Sequence, residues 1–190
     1  MQISSQFDSG NIKVINATDP SNIELAINQD HQSEFFQWFH FKLHNNQRCE
    51  HVMHIVNANQ AAYVEGWHDY QAVASYDREH WFRIPTEFDG KKLTFSLTPE
   101  FDSVYFAYFA PYSYERHQDL IHNAQLDIDC QLQVLGQTID GRDLSLLKIG
   151  EEGEGKKVIW LTARQHPGET MAEWFMEGFI DRLLDEDDGV

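Results

Sequence analysis

The stretch Leu161–Phe175, LTARQHPGETMAEWF, sets His166 and Glu169 three residues apart with only Pro167 and Gly168 between them. Ahead of it the run VIWLTA, Val158–Ala163, is almost continuously apolar, which predicts a strand covered on both faces. Behind it Met171, Phe175, Phe179 and Leu183 recur every fourth residue, and Ala172, Met176 and Ile180 broaden that face. This is the spacing of an amphipathic helix, with Glu173, Glu177 and Asp181 on another stripe. A strand, a loop and a helix in this order predict an α/β layer. The loop then lies at the carboxyl end of the strand, where open α/β sheets place their sites.

Toward the N-terminus the period changes to two. FFQWFHFKL (Phe35–Leu43), HVMHIV (His51–Val56), KLTFSL (Lys92–Leu97), VYFAYFA (Val104–Ala110) and LDIDCQLQV (Leu126–Val134) read as strands. Turn signals separate them: Asn45-Asn46, the segment around Asn57 and Asn59, Asp89-Gly90 and Thr98-Pro99. Short strands without helices between them predict an antiparallel β-sandwich. After it, Asp140-Gly141 carries the strongest short hairpin signal, flanked by Ile139 and Leu144. The expected organisation is therefore multidomain: an N-terminal β-sandwich over residues 1–125, then the start of an α/β domain over residues 126–190. That second part reaches Val190 after a single helix, too little to cover both faces of a sheet, so an incomplete domain is expected.

Composition narrows the function. The 190 residues carry 31 acidic and 14 basic side chains, a formal charge of -17, and the longest basic runs are pairs such as Lys91-Lys92 and Lys156-Lys157. Nucleic acid and anionic membrane surfaces are not expected as partners. The N-terminus, MQISSQFDSGN, has neither a basic nor an apolar leader segment, and Cys49 and Cys130 form no CxxC. A soluble cytoplasmic protein with two reduced thiols is the expectation. Nothing in the sequence sets an oligomeric state.

A catalytic zinc site needs three protein ligands and an open position, and histidine with carboxylate is an established donor set. On a strand-to-helix turn His166 and Glu169 can converge on one ion, Pro167 suits a first helical turn and Gly168 leaves room beside the metal. Glu169 in the first turn would also be favoured by the helix dipole. The plain alternative is a polar loop histidine followed by a helix-start glutamate. Other histidine pairs are less suited. His51 and His54 face opposite sides of an alternating strand, and His40 and His44, on one side, lie about 13 Å apart along it.

TARQHPGETMAEWFMEGFIDRLL resembles the zinc-binding segment of the zinc metallocarboxypeptidases, specifically the cytosolic carboxypeptidase branch. LGQTIDGRDLSLLKIG resembles the opening of the catalytic domain in that superfamily, and WFHFKLHN, YDREHWFRI and FAPYSYERHQDL resemble the branch's N-terminal β-sandwich. The resemblance implies that His166 and Glu169 are the first two zinc ligands. It also implies that the third ligand and the general-base glutamate lie beyond Val190, so residues 1–190 alone should be inactive. Gly168 stands where secreted carboxypeptidases carry an arginine that contacts the substrate carboxylate, so that contact must come from elsewhere. Arg164, Tyr112 and Tyr114 are the weak candidates for substrate binding, and the Tyr112 and Tyr114 stretch belongs, by the resemblance, to the N-terminal domain.

The implied function is zinc-dependent removal of C-terminal amino acids from peptides or proteins. In such a site zinc polarises the scissile carbonyl and acidifies water, while a glutamate outside the ligand set moves the proton. The alternative from another class is a non-catalytic β-sandwich binding or folding module carrying a degenerate peptidase-like segment.

Overall fold

The structure is a computed structural model that describes residues 1–45 and 48–185. The chain divides into two compact units, Met1–Pro111 and Tyr112–Val190. The boundary expected near residue 125 falls later than this division, just past a helix that begins at Tyr114.

The first unit lays down β1 (Gln2–Ser4), β2 (Lys13–Asn16), β3 (Ile23–Ala26), β4 (His40–His44), β5 (His51–Ile55), β6 (Val73–Ser75), β7 (Phe82–Arg83), β8 (Thr86–Phe88), β9 (Leu93–Leu97) and β10 (Ser103–Ala107). They form two five-stranded sheets, ordered β1-β4-β10-β6-β7 and β2-β3-β5-β9-β8. The pairings are antiparallel apart from β3 with β5, which runs parallel. The reason is topological: the chain leaving β3 crosses to the other sheet to form β4 before it returns as β5. Of the expected turns, Gly90 takes a left-handed φ of 87° and Asn45 one of 52°, whereas Asn46 lies outside the described residues.

Alternation along the strands builds the core. In β4 Phe41 and Leu43 turn inward, and in β5 His51, Met53 and Ile55 do so. Phe95 of β9 joins the two sheets. Its ring stacks on Phe39 at 5.9 Å and lies 6.5 Å from Phe41 and 5.9 Å from Phe106, offset geometries that aromatic rings prefer. The strand expected from Phe35 begins only at His40. The carbonyls of Phe35 and Phe36 accept instead from the amides of Asp30 and Ala62, so this segment satisfies its backbone against loops. Trp38 and Trp67 are core residues, their indole N–H groups donating to the Ser9 and Ala58 carbonyls.

The strand histidines are engaged within the sheets. His51 Nδ1 donates to the Cys49 carbonyl, and His54 meets the Thr94 hydroxyl at 2.9 Å. His40 is buried among the rings of Phe7, Trp38, Trp81 and Tyr105, with Ser9 Oγ 3.0 Å from Nδ1. Burial, aided by the Arg78 cation, lowers its pKa to about 3.

The second unit opens with α1 (Tyr114–Ala124), whose N-cap Ser113 accepts from the Arg116 amide. This helix is absent from the sequence expectations, because its polar face dominates. The signal was present in Ser113 ahead of Leu120, Ile121 and Ala124, a cap followed by one apolar stripe. The strand expected from Leu126 starts later, as β11 (Cys130–Gln137), since Leu126 and Asp127 still bond back to Asn123 and Ala124 in the turn that ends α1. With β12 (Asp143–Ile149) it forms the expected hairpin. Its turn closes from Thr138 to Arg142, with Gly141 at φ 77°, a conformation that glycine adopts without steric cost. Then α2 runs over Thr170–Leu183. Ala124, Cys130 and Ile180, with Leu120, Leu147, Ile149 and Met176, make a small core between hairpin and helices.

Two expectations fail here. VIWLTA is not a strand: Val158, Ile159 and Trp160 are exposed, and the sheet described in this unit is the β11–β12 pair, with no edge that this segment joins. A strand buried on both faces needs neighbours on both edges, and apolar content alone does not provide them. The apolar face of α2 is split: Met171, Phe175 and Leu183 are exposed, whereas Ile180 and Met176 pack in the small core, and Glu173 is buried. Glu173 and Glu177 turn inward as well because Arg116 and His117 of α1 offer them a cation and donors.

Two outcomes follow from the first unit's core. Phe95→Ala should cost about 3–5 kcal/mol in urea unfolding of the protein, since a large ring is deleted between two sheets. Below the ordinary histidine range the unfolded chain binds a proton at residue 40 that the folded chain refuses. Stability should therefore fall as pH drops through this window toward 3, by up to about 1.4 kcal/mol per pH unit. His40→Phe should flatten that slope between pH 6 and 4, and an unchanged slope would assign it to other groups.

Candidate metal centre

The loop before α2 is short and heavily bonded. Gln165 Nε2 donates to Thr162 Oγ1, the Glu169 amide to the His166 carbonyl at 3.1 Å, and the Ala172 amide to the Glu169 carbonyl. Glu169 is the N-cap residue of α2 (φ -87°, ψ 51°), one position ahead of the first turn in which it was expected. Its side chain makes no cap hydrogen bond; it reaches back to His166 instead. The left-handed residue of the segment is Arg164, at φ 53°.

His166 Nδ1 and Glu169 Oε1 stand 2.9 Å apart, the histidine largely exposed and the glutamate about half so. Glu169 Oε2 also accepts from the His166 amide at 3.4 Å. The hydrogen bond from His166 holds the Glu169 carboxyl below its ordinary range, so the group is an anion near neutrality. An imidazole and a carboxylate brought to one point are two donors that suit zinc, and the residues present therefore fit two positions of a ligand set that needs at least three. No group of three or more possible metal-ligating side chains occurs among the described residues.

A second cluster lies behind the loop. Glu173 Oε1 accepts from His117 Nδ1 at 2.7 Å and Oε2 from Arg164 Nη1 at 2.6 Å. Burial pushes the Glu173 carboxyl up, but the hydrogen bonds from His117 and Arg164 win and hold it below its ordinary value. One turn further, Glu177 accepts from the Arg116 guanidinium and, at 2.5 Å, from the Tyr112 hydroxyl. Arg116 also lies 4.3 Å from the centre of the Trp174 ring. Tyr112 is 1% exposed, and burial first, then the Glu177 carboxylate, pushes its hydroxyl well above the usual phenol range.

The sequence candidates thus separate. His166 and Glu169 come together. Tyr112 is a buried structural donor, Tyr114 packs against Arg142, whose guanidinium lies 4.6 Å from its ring, and Arg164 points at Glu173 and at the loop. Glu173 and Glu177 stand in the acidic stripe and Arg116 and His117 in the FAPYSYERHQDL stretch, but nothing in the sequence pairs the two segments. The four-residue spacing of Glu173 and Glu177 was legible, but two of their partners, Arg116 and His117, sit on the helix that the sequence did not announce.

Residues 3–109 match the family model described as the cytosolic carboxypeptidase N-terminal domain, and residues 119–189 match that of zinc carboxypeptidase. The chain belongs to the cytosolic carboxypeptidase family of zinc carboxypeptidases. It is 46% identical over its whole length to an uncharacterized protein of Zymomonas mobilis, covering 49% of that protein. Mouse cytosolic carboxypeptidase 6 is 32% identical over 95% of the chain, which covers 37% of that relative. The structure resembles a putative carboxypeptidase A from Shewanella denitrificans, with a TM-score of 0.93 and 52% identity over 98% of this chain and 50% of that one. A metallo-carboxypeptidase from Pseudomonas aeruginosa, solved with (2-guanidinoethylmercapto)succinic acid, gives 0.90 and 50% identity over 99% of this chain and 50% of that one. The chain therefore spans about half or less of the length of these proteins.

The Glu177 cluster has a checkable signature. Its depressed carboxyl stabilises the fold above the unfolded glutamate range and loses that contribution as pH falls through the range. Glu177→Gln should cost about 1 kcal/mol at pH 7, a figure kept small because Arg116 is half exposed, and less at pH 3. Melting curves at the two pH values check this.

Proposed function

We propose that the protein is a zinc-dependent carboxypeptidase that hydrolyses C-terminal residues from peptides or proteins in the cytoplasm, and that His166 and Glu169 are two of its zinc ligands. The observation that carries this reading is the 2.9 Å approach of His166 Nδ1 to Glu169 Oε1 on the loop ahead of α2, in a chain of this family. Zinc held there supplies a Lewis acid for the peptide carbonyl. His166 and Glu169 hold and orient that acid. Glu169, an anion near neutrality, contributes the charge that the site sets against the cation. A third ligand and a general base come from residues outside the described set. The N-terminal domain is assigned to Met1–Pro111, and α1 is grouped with the catalytic segment.

The test is elemental analysis of the longest natural form of the protein beside His166→Ala, with release of C-terminal residues followed on peptides of varied ends. One zinc per chain, lost together with turnover in His166→Ala, is expected. Residues 1–190 alone should give no turnover. Turnover that survives removal of zinc would overturn the assignment, and a natural form without zinc or turnover would favour a binding module.

A further inference from the structure

Arg164 has the marks of a residue held in place for a purpose. It occupies the left-handed region at φ 53°, where a residue with a Cβ is strained by about 1 kcal/mol or more and where glycine would sit freely. Its side chain is three-quarters covered and uses most of its donors. Nη1 donates to the Glu173 carboxylate at 2.6 Å and to the Tyr112 carbonyl at 3.0 Å, while Nε and Nη2 both reach the Pro167 carbonyl at 3.3 Å. Pro167 is the residue after His166 and two before Glu169. One planar group thus ties the middle of the His166–Glu169 loop to α2, through Glu173, and to the residue that leads into α1. The position of Glu173 is fixed from the other side by His117 Nδ1.

We propose that Arg164 is a positioning residue for the metal centre: by clamping the Pro167 carbonyl against Glu173 it presets the distance between His166 and Glu169. The role rests on the zinc assignment above. It differs from a substrate contact, because the guanidinium is directed into the protein. A lysine cannot reproduce it, since an ammonium is a point charge and cannot place a fork on two acceptors at once.

The experiment uses the natural-length protein, with zinc affinity measured by competition against a chromophoric chelator and the cobalt(II)-substituted form read by its visible spectrum. Arg164→Gly relieves the backbone but removes the clamp; it should bind zinc about 10–100-fold more weakly, as loss of an outer partner does, with an altered cobalt spectrum. Arg164→Lys should be weakened as well, and Glu173→Gln should weaken binding without adding to the loss in Arg164→Gly. Circular dichroism and melting of the metal-free proteins separate folding from binding. Folded Arg164→Gly with wild-type affinity and spectrum would overturn the proposal, and so would loss of fold in all three variants, which would assign the cluster to stability alone. If zinc binding to the wild type is indifferent to His166→Ala, the zinc assignment itself fails and the positioning role goes with it.

Discussion

A carboxylate removed from water must be met by donors, and Glu173 is where the second unit satisfies that constraint. It is 8% exposed, in the first turn of α2. Left unpaired, such a charge would be neutralised or would expel the helix from its place. His117 from α1 and Arg164 from the preceding loop meet its two oxygens separately. The helix pair, the loop and the start of α1 are thereby tied to a single group. The Glu177, Arg116 and Tyr112 cluster repeats the arrangement one turn along, with a longer reach and more solvent.

This explains why α2 packs as it does. Its apolar residues are numerous enough to suggest the opposite face, but a small core of Ala124, Cys130 and Ile180 takes few of them. Glu173 and Glu177 face inward, where each carboxylate is met by a cation and a further donor: His117 and Arg164 for the first, Arg116 and Tyr112 for the second. The loop that carries His166 and Glu169 is tied to this polar arrangement through Arg164. His166 and Glu169 stay open to solvent while the groups behind them are held.

Much of the fold was legible in the sequence and the limits have physical causes. Period-two alternation located β4, β5, β9 and β10, because residues such as Phe41, Met53 and Phe95 must alternate to reach one core. The Asp140-Gly141 turn was readable because Gly141 needs a positive φ. Helix α1 was hidden because it presents no long apolar stripe, and Arg116 and His117 find their partners on α2, far away in sequence. VIWLTA misled for the converse reason: apolar character reports a preference for burial, and burial depends on neighbours. At the site, spacing and resemblance together pointed to His166 and Glu169, which the structure brings within 2.9 Å, whereas the contact of Arg164 with Glu173 had no local signal, since no pattern tells whether an arginine points out to a ligand or in toward a carboxylate.

The zinc donors proposed for the loop between Arg164 and Thr170 are His166 and Glu169. The most direct measurement is zinc-edge X-ray absorption on the natural-length protein, compared with His166→Ala. The account predicts a first shell of light N and O donors with imidazole scattering, and loss of one imidazole contribution in the variant. An identical spectrum from the two proteins would contradict it.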